Sequence, residues 1–335
     1  MASRPPPPWP PSCWTPEASI RRSSTEPRPW AEACEYRANF LHLRPKQVVV
    51  TGIEPDHFDC YRSIGELEEA FARFVGNVPE YGLVLAQHAC SRARRVAAQS
   101  RARVETFGFT AAADWSAVDL TCERGRYSFT IVRRRRRLGR VRLRVPGRHS
   151  VQNALAAAAL AWENGVTAET LVGALERFAG LRRRLEWRGR RQGVTLLDDY
   201  AHHPTEVTAT LRTVRQIYPR SRLWCVFQPH QVSRTVHLLD ELAASLQNAD
   251  KVLVAEIFRA REPSHLQGGA VLTDLVEGIR RRGTFAARLC ENGSIRRLLE
   301  TELRPGDVLI TMGAGDIGKV CNEFLEGLRE DRAAG

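Results

Sequence analysis

The sequence predicts an α/β protein with parallel strands and one antiparallel segment, and three observations predict it. Short apolar runs, such as QVVVTGI at 47–53 and LWCVF at 223–227, alternate with segments whose apolar residues recur at helical spacing. Between about 104 and 145 the pattern changes to alternation, with Tyr127, Phe129, Ile131 and then Val141, Leu143, Val145 on one face. That is the signature of antiparallel strands with one solvated side. From about 193 onward strand, loop and helix recur in turn, which predicts a doubly wound parallel sheet.

The elements follow in order. Residues 1–29 (RPPPPWPPSCWTP and its flanks) lack either period and read as a disordered Pro-rich tail. Strand 47–53 opens the patterned part. Ser63 and Glu66 form a capping box ahead of Ile64, Leu67, Ala70, Phe71, Phe74 and Val75 at helical spacing. A second strand covers 81–86. After the alternating strands, Ser150 is expected to cap an Ala-rich helix that stops at Asn164-Gly165, and a further helix runs from Thr167 to about Phe178. Strands are then expected at 193–197, 222–227, 251–258, about 284–289 and 307–312. Helices are expected near 204–217, 234–247, 269–281, 293–302 and 316–327.

Composition excludes several classes. A chain of 335 residues has room for two domains of roughly 100–200 residues each, and 43% hydrophobic residues supply a core. The N-terminal region has arginines but no apolar segment of signal-peptide type. The longest apolar run, 154–162, is far short of the roughly 20 residues a membrane span needs. The expectation is a soluble, cytoplasmic protein without a membrane partner. Eight cysteines include no CxxC pair, so neither a zinc nor a redox motif is suggested. The net charge is +12, yet only Lys46, Lys251 and Lys319 are lysine, which looks like a coding bias toward arginine over the whole chain. The densest run, 133–137, sits between two alternating strands as a hairpin tip. No aromatic residues interleave it as single-strand binding requires, so no nucleic-acid partner is expected.

Chemistry concentrates at strand ends. DDYAHHPTE (198–206) and FQPHQVSRT (227–235) both follow a strand and precede a helix, the place where doubly wound sheets bind ligands. His202 or His203 can exchange a proton near pH 7, and one of the two is open to a purely structural role. His230 and Arg234 lie on the second loop, where an arginine fork suits carboxylate or phosphate. His57 lies just past the first strand, and Glu32 and Glu35 precede a further apolar stretch. One Glu with one His makes a partial site for a divalent cation whose other ligands are phosphate and water. GAGDIGKV (313–320) fits GxGxxG and nearly fits a P-loop. It lacks both the distal acidic residue of the first and the hydroxyl of the second, position 320 being valine, so it reads as a glycine-rich turn.

EACEYRANFLHLRP, TGIEPDHFDCY, VPGRHSVQNALAAAALA, FAGLRRRLEWRG, LLDDYAHHPTE, VFQPHQVSRT and TMGAGDI together resemble the Mur ligase family, from about Trp30 to the end. The likeness is greatest to members that join L-alanine to the carboxylate of UDP-N-acetylmuramate. It is weaker to the recycling type, which attaches a preformed tripeptide. The resemblance implies a central ATPase-type α/β domain over 30–179, incomplete and with an antiparallel segment. It implies a Rossmann-like C-terminal amino-acid-binding domain over 180–335. It implies ATP and Mg²⁺ as cofactors, an acyl phosphate on the way to the amide, and UDP-N-acetylmuramate and L-alanine as substrates. Carried over residue by residue, Glu32 and His57 correspond to the Mg²⁺ ligands. Asn153, Arg184 and Asp199 correspond to nucleotide contacts. Tyr200, His202, His230 and Arg234 correspond to the surface around alanine and the sugar carboxylate, with His202, His230 and Arg234 catalytic. The loops are expected to gather at one cleft with Glu32 and His57.

Departures go with the resemblance. The family's UDP-sugar domain and P-loop have no counterpart in these residues. Cys34 and Arg37 stand where the family has Asp, Ser150 and Gln231 where it has Asn and Arg. The expectation is a chain with little or no ligase activity alone. The alternatives are a non-catalytic module working with a P-loop-bearing partner, a recycling-type ligase, and nucleic-acid binding through the arginines with steep salt dependence; the partner is a homo-oligomer or a chain that supplies the P-loop.

Overall fold

The computed structural model describes residues 30–263, 268–289 and 301–326. The expected tail at 1–29 and most of the helix expected at 293–302 lie outside them. The chain divides into two units, Met1–Ala179 and Gly180–Gly335.

The first unit holds a six-stranded sheet in sequential order, β1 (Gln47–Val50), β2 (Leu83–Gln87), β3 (Arg103–Gly108), β4 (Trp115–Glu123), β5 (Arg126–Arg133) and β6 (Arg136–Pro146). β1 to β4 pair in parallel; β4–β5 and β5–β6 are antiparallel hairpins. The alternating pattern predicts an antiparallel segment from about 104. The structure corrects this: β3 is a parallel strand, and the reversal begins only after β4. Helix α2 (Ser91–Ala97), which the sequence pattern does not predict, carries the chain between β2 and β3. It buries only Ala93, Val96 and Ala97, too short an apolar face for periodicity to reveal.

Helix α1 (Ile64–Gly76) begins as the capping pattern demands, with Ser63 accepting from the Glu66 N–H at 3.2 Å. The returning bond of Glu66 goes to the N–H of Arg62 at 2.8 Å, one residue earlier than the usual box. Helix α3 (Arg148–Glu163) starts earlier than expected. Its N-cap is Gly147, at φ +98°, and Ser150 lies in the first turn, donating to the Pro146 carbonyl at 2.7 Å. Only glycine adopts that φ readily, so Gly147 sets the start and Ser150 does not. Helix α4 (Ala168–Arg177) is capped by Thr167.

Two cores flank this sheet. Val48, Val50, Val84 and Ala86 pack with α1 and α2 on one side. Leu83, Leu85, Phe107, Trp115, Phe129, Ile131, Val141 and Leu143 pack with α3 and α4 on the other. Beneath the second core the Glu105 carboxylate is fully buried. It accepts from Trp115 Nε1 at 2.7 Å, Arg134 at 3.0 Å and Arg133 at 3.3 Å. Two members of the arginine run therefore have a buried structural partner, although Arg134 stays more than half exposed.

The second unit holds a sheet in the order β11-β10-β9-β12-β8-β7, all parallel except the pair β7–β8. Its members are β7 (Glu186–Arg191), β8 (Val194–Asp199), β9 (Leu223–Phe227), β10 (Lys251–Val254), β11 (Phe285–Arg288) and β12 (Val308–Met312). The helices are α5 (Pro204–Ile217), α6 (Val232–His237), α7 (Leu239–Ser245), α8 (Gly269–Arg281) and α9 (Lys319–Glu326). β7 was not foreseen: EWRGRR carries too many arginines to read as a strand. The helix expected at 234–247 is two helices broken at Leu238, and β10 stops four residues before the expected end. β12, last in sequence, lies between β8 and β9, so the chain switches direction there. Among the described residues no helix is long and apolar enough to cross a membrane.

Candidate functional site

Strand register builds the site of the second unit. Met312 is level with Asp199 on one side and Phe227 on the other, so three neighbouring parallel strands end together. Beyond those ends come the loops Tyr200–His203, Gln228–Gln231 and Gly313–Asp316. They are laced by backbone bonds from Gly313 N to Asp199 O (3.1 Å) and from Gln228 N to Met312 O (2.9 Å). Ligands in such sheets bind in this position, at the switch point.

Four of the sequence-predicted residues meet there. The ring of His202 lies 5.4 Å from that of His230 and 5.5 Å from that of Tyr200. Arg234, 3% exposed, places Nη1 2.7 Å from Nδ1 of His230. A guanidinium only donates, so His230 Nδ1 must be the accepting nitrogen, and its Nε2 then carries the hydrogen. His202 is the reverse. Its Nδ1 lies 3.0 Å from the Tyr200 carbonyl, which only accepts, so Nδ1 carries the hydrogen and Nε2 is the basic nitrogen of the neutral ring. Two adjacent imidazoles are thus set as one base and one donor.

His203 is the structural member of the pair. It caps α5, and Glu206 returns a bond to the His203 N–H at 3.3 Å. Arg184 is exposed, with its guanidinium 5.3 Å from the Tyr200 ring and 3.7 Å from Glu206.

Asp199, which the resemblance makes a nucleotide contact, is bonded within the protein. Both its oxygens turn inward. Oδ1 accepts from Ala201 N at 2.7 Å, and Oδ2 accepts from Leu185 N at 2.7 Å and Thr210 Oγ1 at 3.3 Å. Burial pushes its pKa up to about 6, against the two N–H donors and the Arg184 charge that pull it down. These bonds hold the end of β8 to the 183–185 turn and to α5. Asp198 is likewise engaged, by Thr311 Oγ1 at 2.7 Å and Arg183 Nε at 3.3 Å.

Sequence reasoning missed a second set of residues that interlock these loops. Phe258 stacks on His230 at 5.8 Å, and its backbone pairs with Pro229 and Gln231. Glu262 accepts from the N–H groups of Val232 and Ser233 at the start of α6. Gly315 lies so close to Gln228 and Phe258 that a Cβ would stand 2.4 Å from Gln228 Oε1 and 2.5 Å from the phenyl ring. Thus GAGD is a close-approach turn. Gln231, which precedes α6, has φ +67°, a conformation costly for a residue with a side chain and typical of functional loops. The signal that could have found Glu262 is its place beyond a strand end; nothing local pairs it with α6.

The first unit holds a separate constellation. His57, at φ +53°, places Nε2 3.1 Å from Glu35 Oε1, and Asp56 accepts the His57 N–H at 2.7 Å. Tyr61 donates to the Glu35 carbonyl at 2.6 Å. The carboxylate that meets His57 is therefore Glu35, and Glu32 is exposed on the segment before it. The turn at Tyr36–His42 buries Tyr36 and Phe40 and carries Glu35 inward with them. Burial raises the Glu35 pKa, but the His57 hydrogen bond and charge outweigh it, and the balance lies below the ordinary carboxylate value. Among the described residues no three His, Cys, Asp or Glu side chains form a metal-holding group. Glu35 Oε1 and His57 Nε2, 3.1 Å apart, have the donor chemistry to serve a hard divalent ion as two ligands, with phosphate and water to complete the shell. Asn153 is exposed on α3.

These features define an α/β protein that gathers histidines, an arginine and carboxylates at strand ends, with a carboxylate–imidazole pair in a further domain. Residues 32–161 match the Mur ligase middle domain, and residues 183–315 match the Mur ligase glutamate ligase domain. The chain belongs to the Mur ligase family. It is 37% identical over 295 residues to UDP-N-acetylmuramate–L-alanine ligase of Clostridium acetobutylicum, covering 88% of this chain and 64% of that protein. To the protein of the same name from Nitratidesulfovibrio vulgaris it is 40% identical over 298 residues, 89% of this chain and 65% of that one. Among solved structures, UDP-N-acetylmuramate–alanine ligase from Thermotoga maritima superposes with a TM-score of 0.70 at 22% identity, covering 88% of this chain and 62% of that chain. A murein peptide ligase from Psychrobacter arcticus gives 0.64 at 26% identity, covering 87% of this chain and 59% of that chain. The chain spans about 64% of the length of the curated relatives it matches.

Proposed function

We propose that the chain supplies the middle and C-terminal domains of an ATP-dependent ligase that joins L-alanine to the carboxylate of UDP-N-acetylmuramate. The observation that carries this reading is the opposed tautomers of His202 and His230 at the ends of β8 and β9.

Amide formation from a carboxylate needs activation, and ATP supplies the phosphoryl group that makes an acyl phosphate. Glu35 and His57 would hold the Mg²⁺ that neutralises phosphate charge there. The amine must attack unprotonated. His202 Nε2 is the acceptor for the proton that the nitrogen loses, and Nδ1 is held on the Tyr200 carbonyl so that the ring keeps its orientation. The tetrahedral adduct gains negative charge on oxygen. His230 Nε2–H and the Arg234 guanidinium are donors suited to that charge, and Arg234 keeps His230 in the donating tautomer. Collapse expels phosphate and leaves the amide. Tyr200, flanked by the Arg183 and Arg184 guanidiniums at 5.1 and 5.3 Å, would border the incoming amino acid.

These 335 residues contain no GxxxxGK[ST] run, so the chain by itself is proposed to turn over slowly or not at all. The test is alanine-dependent phosphate release with ATP and UDP-N-acetylmuramate. It is measured on the chain alone and on the chain joined to the protein segment encoded immediately upstream. His202→Ala in the active form should lower kcat by about 10²-fold or more. Unchanged kcat removes His202 from the reaction. No alanine-dependent release from either form removes the ligase reading.

A further inference from the structure

The arginine surplus is not evenly spread once it is placed on the fold. Between Arg92 and Arg148 the chain carries sixteen arginines and four carboxylates. That surplus equals the +12 of the whole chain, so the remainder is neutral. Four of these arginines, the half-buried Arg126 among them, fall on one sheet face of the first unit, beside Asp119 and Glu123. On β6, Val141 and Leu143 point into the core, and the alternate residues Arg140, Arg142 and Arg144 are exposed. Their partners across the strand are Thr130 and Ser128 of β5, opposite Arg140 and Arg142. By alternation Arg126 shares that face.

We propose that this arginine ladder is a docking surface for the sugar–phosphate backbone of a nucleic-acid duplex. The core behind it is closed by α3 and α4, and the free edge of β6 is taken up. The Arg142 N–H donates to Glu176 of α4 at 3.1 Å, and Gly139 lies against Val172. An extended peptide therefore cannot add to that edge, which leaves the face itself. From Arg140 to Arg144 the ladder spans about 13 Å at roughly 3.3 Å per residue. A duplex presents a phosphate about every 3.4 Å along each strand, so about four face that span, matching Arg126, Arg140, Arg142 and Arg144. Guanidiniums pair with phosphate oxygens in bidentate fashion, and the hydroxyls of Thr121 and Ser128 add donors of the kind that backbone contacts use. Arg142 is held by Glu123 at 3.0 Å, and Arg140 by Thr121 at 3.3 Å. Both are exposed contacts that phosphate can replace at small cost. No large apolar side chain is exposed between 92 and 148, so nothing there inserts into a lipid surface, and nothing offers the stacking platform a single strand needs.

The test is fluorescence anisotropy of the full chain with a labelled 20-base-pair DNA duplex of arbitrary sequence, between 50 and 200 mM NaCl. The expected log–log salt slope is about −3.6, a loss of roughly 150-fold in affinity over that range. The triple variant Arg140→Gln, Arg142→Gln, Arg144→Gln should bind at least tenfold more weakly, with the slope reduced by about 2.7. A control with Arg212→Gln, Arg220→Gln and Arg281→Gln removes the same charge from exposed positions of the second unit and should leave binding unchanged. Equal losses in the two variants would overturn the proposal, since net charge alone would explain them. So would absence of duplex binding at 50 mM salt, or binding only to phosphatidylserine vesicles. If the triple variant does not fold, Arg140→Gln and Arg144→Gln singly should each reduce the slope by about 0.9.

Discussion

Asp199 gives the sharpest consequence of the structure. Its carboxyl is 4% exposed, accepts from two backbone N–H groups and one hydroxyl, and has its pKa pushed up by burial to about 6 from 3.8. In the unfolded chain it titrates near the lower value. Between the two values the folded state holds a proton that the unfolded state has lost, so stability falls as pH rises from about 4 to about 6 and levels off above. At about 1.4 kcal/mol per unit the total is about 3 kcal/mol. Arg184 opposes the shift and Glu206 adds to it. Asp199→Asn removes the titration. Its amide turns an N–H toward Ala201 N or Leu185 N, which costs about 1–3 kcal/mol, roughly what the buried charge costs at pH 7.5. The variant should therefore match the wild type within about 2 kcal/mol at pH 7.5 and be clearly less stable at pH 4.5. Urea-dependent proteolysis with mass-spectrometric readout of peptides from 180–335 isolates the second unit. A wild-type midpoint that parallels that of the variant over pH 4.5–7.5 would refute the reasoning. It would mean that Asp199 reaches solvent or a cation.

Two further predictions concern packing. Glu105→Gln leaves Arg133 and Arg134 facing an amide in place of a carboxylate; because both arginines keep some exposure, the loss should be about 3 kcal/mol, the low end for a broken buried pair, seen as a lower urea midpoint of the first unit. Gly315→Ala forces a methyl into the 2.4 Å gap before Gln228 and the Phe258 ring; it should cost about 1–3 kcal/mol and, by displacing Phe258 from His230, alter the His230 ring resonances in NMR, whereas unchanged resonances would separate the turn from the site.

The parts of the fold that were legible in the sequence were those written locally. Ser63 caps α1 because a hydroxyl beside a helical apolar face has one good use. Pro204 and Glu206 start α5 for the same kind of reason, and the runs at 223–227 and 307–312 are buried on both faces. His202, His230 and Arg234 come together because their loops follow strands, and a parallel sheet collects its strand ends on one side. The parts that failed depend on partners distant in sequence. EWRGRR becomes β7 because β8 offers a ladder to it. The Glu35–His57 contact, likewise, exists because Tyr36 and Phe40 turn that segment inward, which no local pattern shows.

Sequence alone determined where this chain keeps its titratable groups, since apolar period and capping chemistry act over a few residues. Only the tertiary structure decided what those groups do. β12 enters between β8 and β9, which brings Asp199, Phe227 and Met312 level. From that register follow the inward turn of Asp199, the opposed protonation of His202 and His230, and the closeness of Gly315 to Phe258. Hydrogen-bond direction depends on which acceptor or donor a fold places opposite, and no local pattern carries that information.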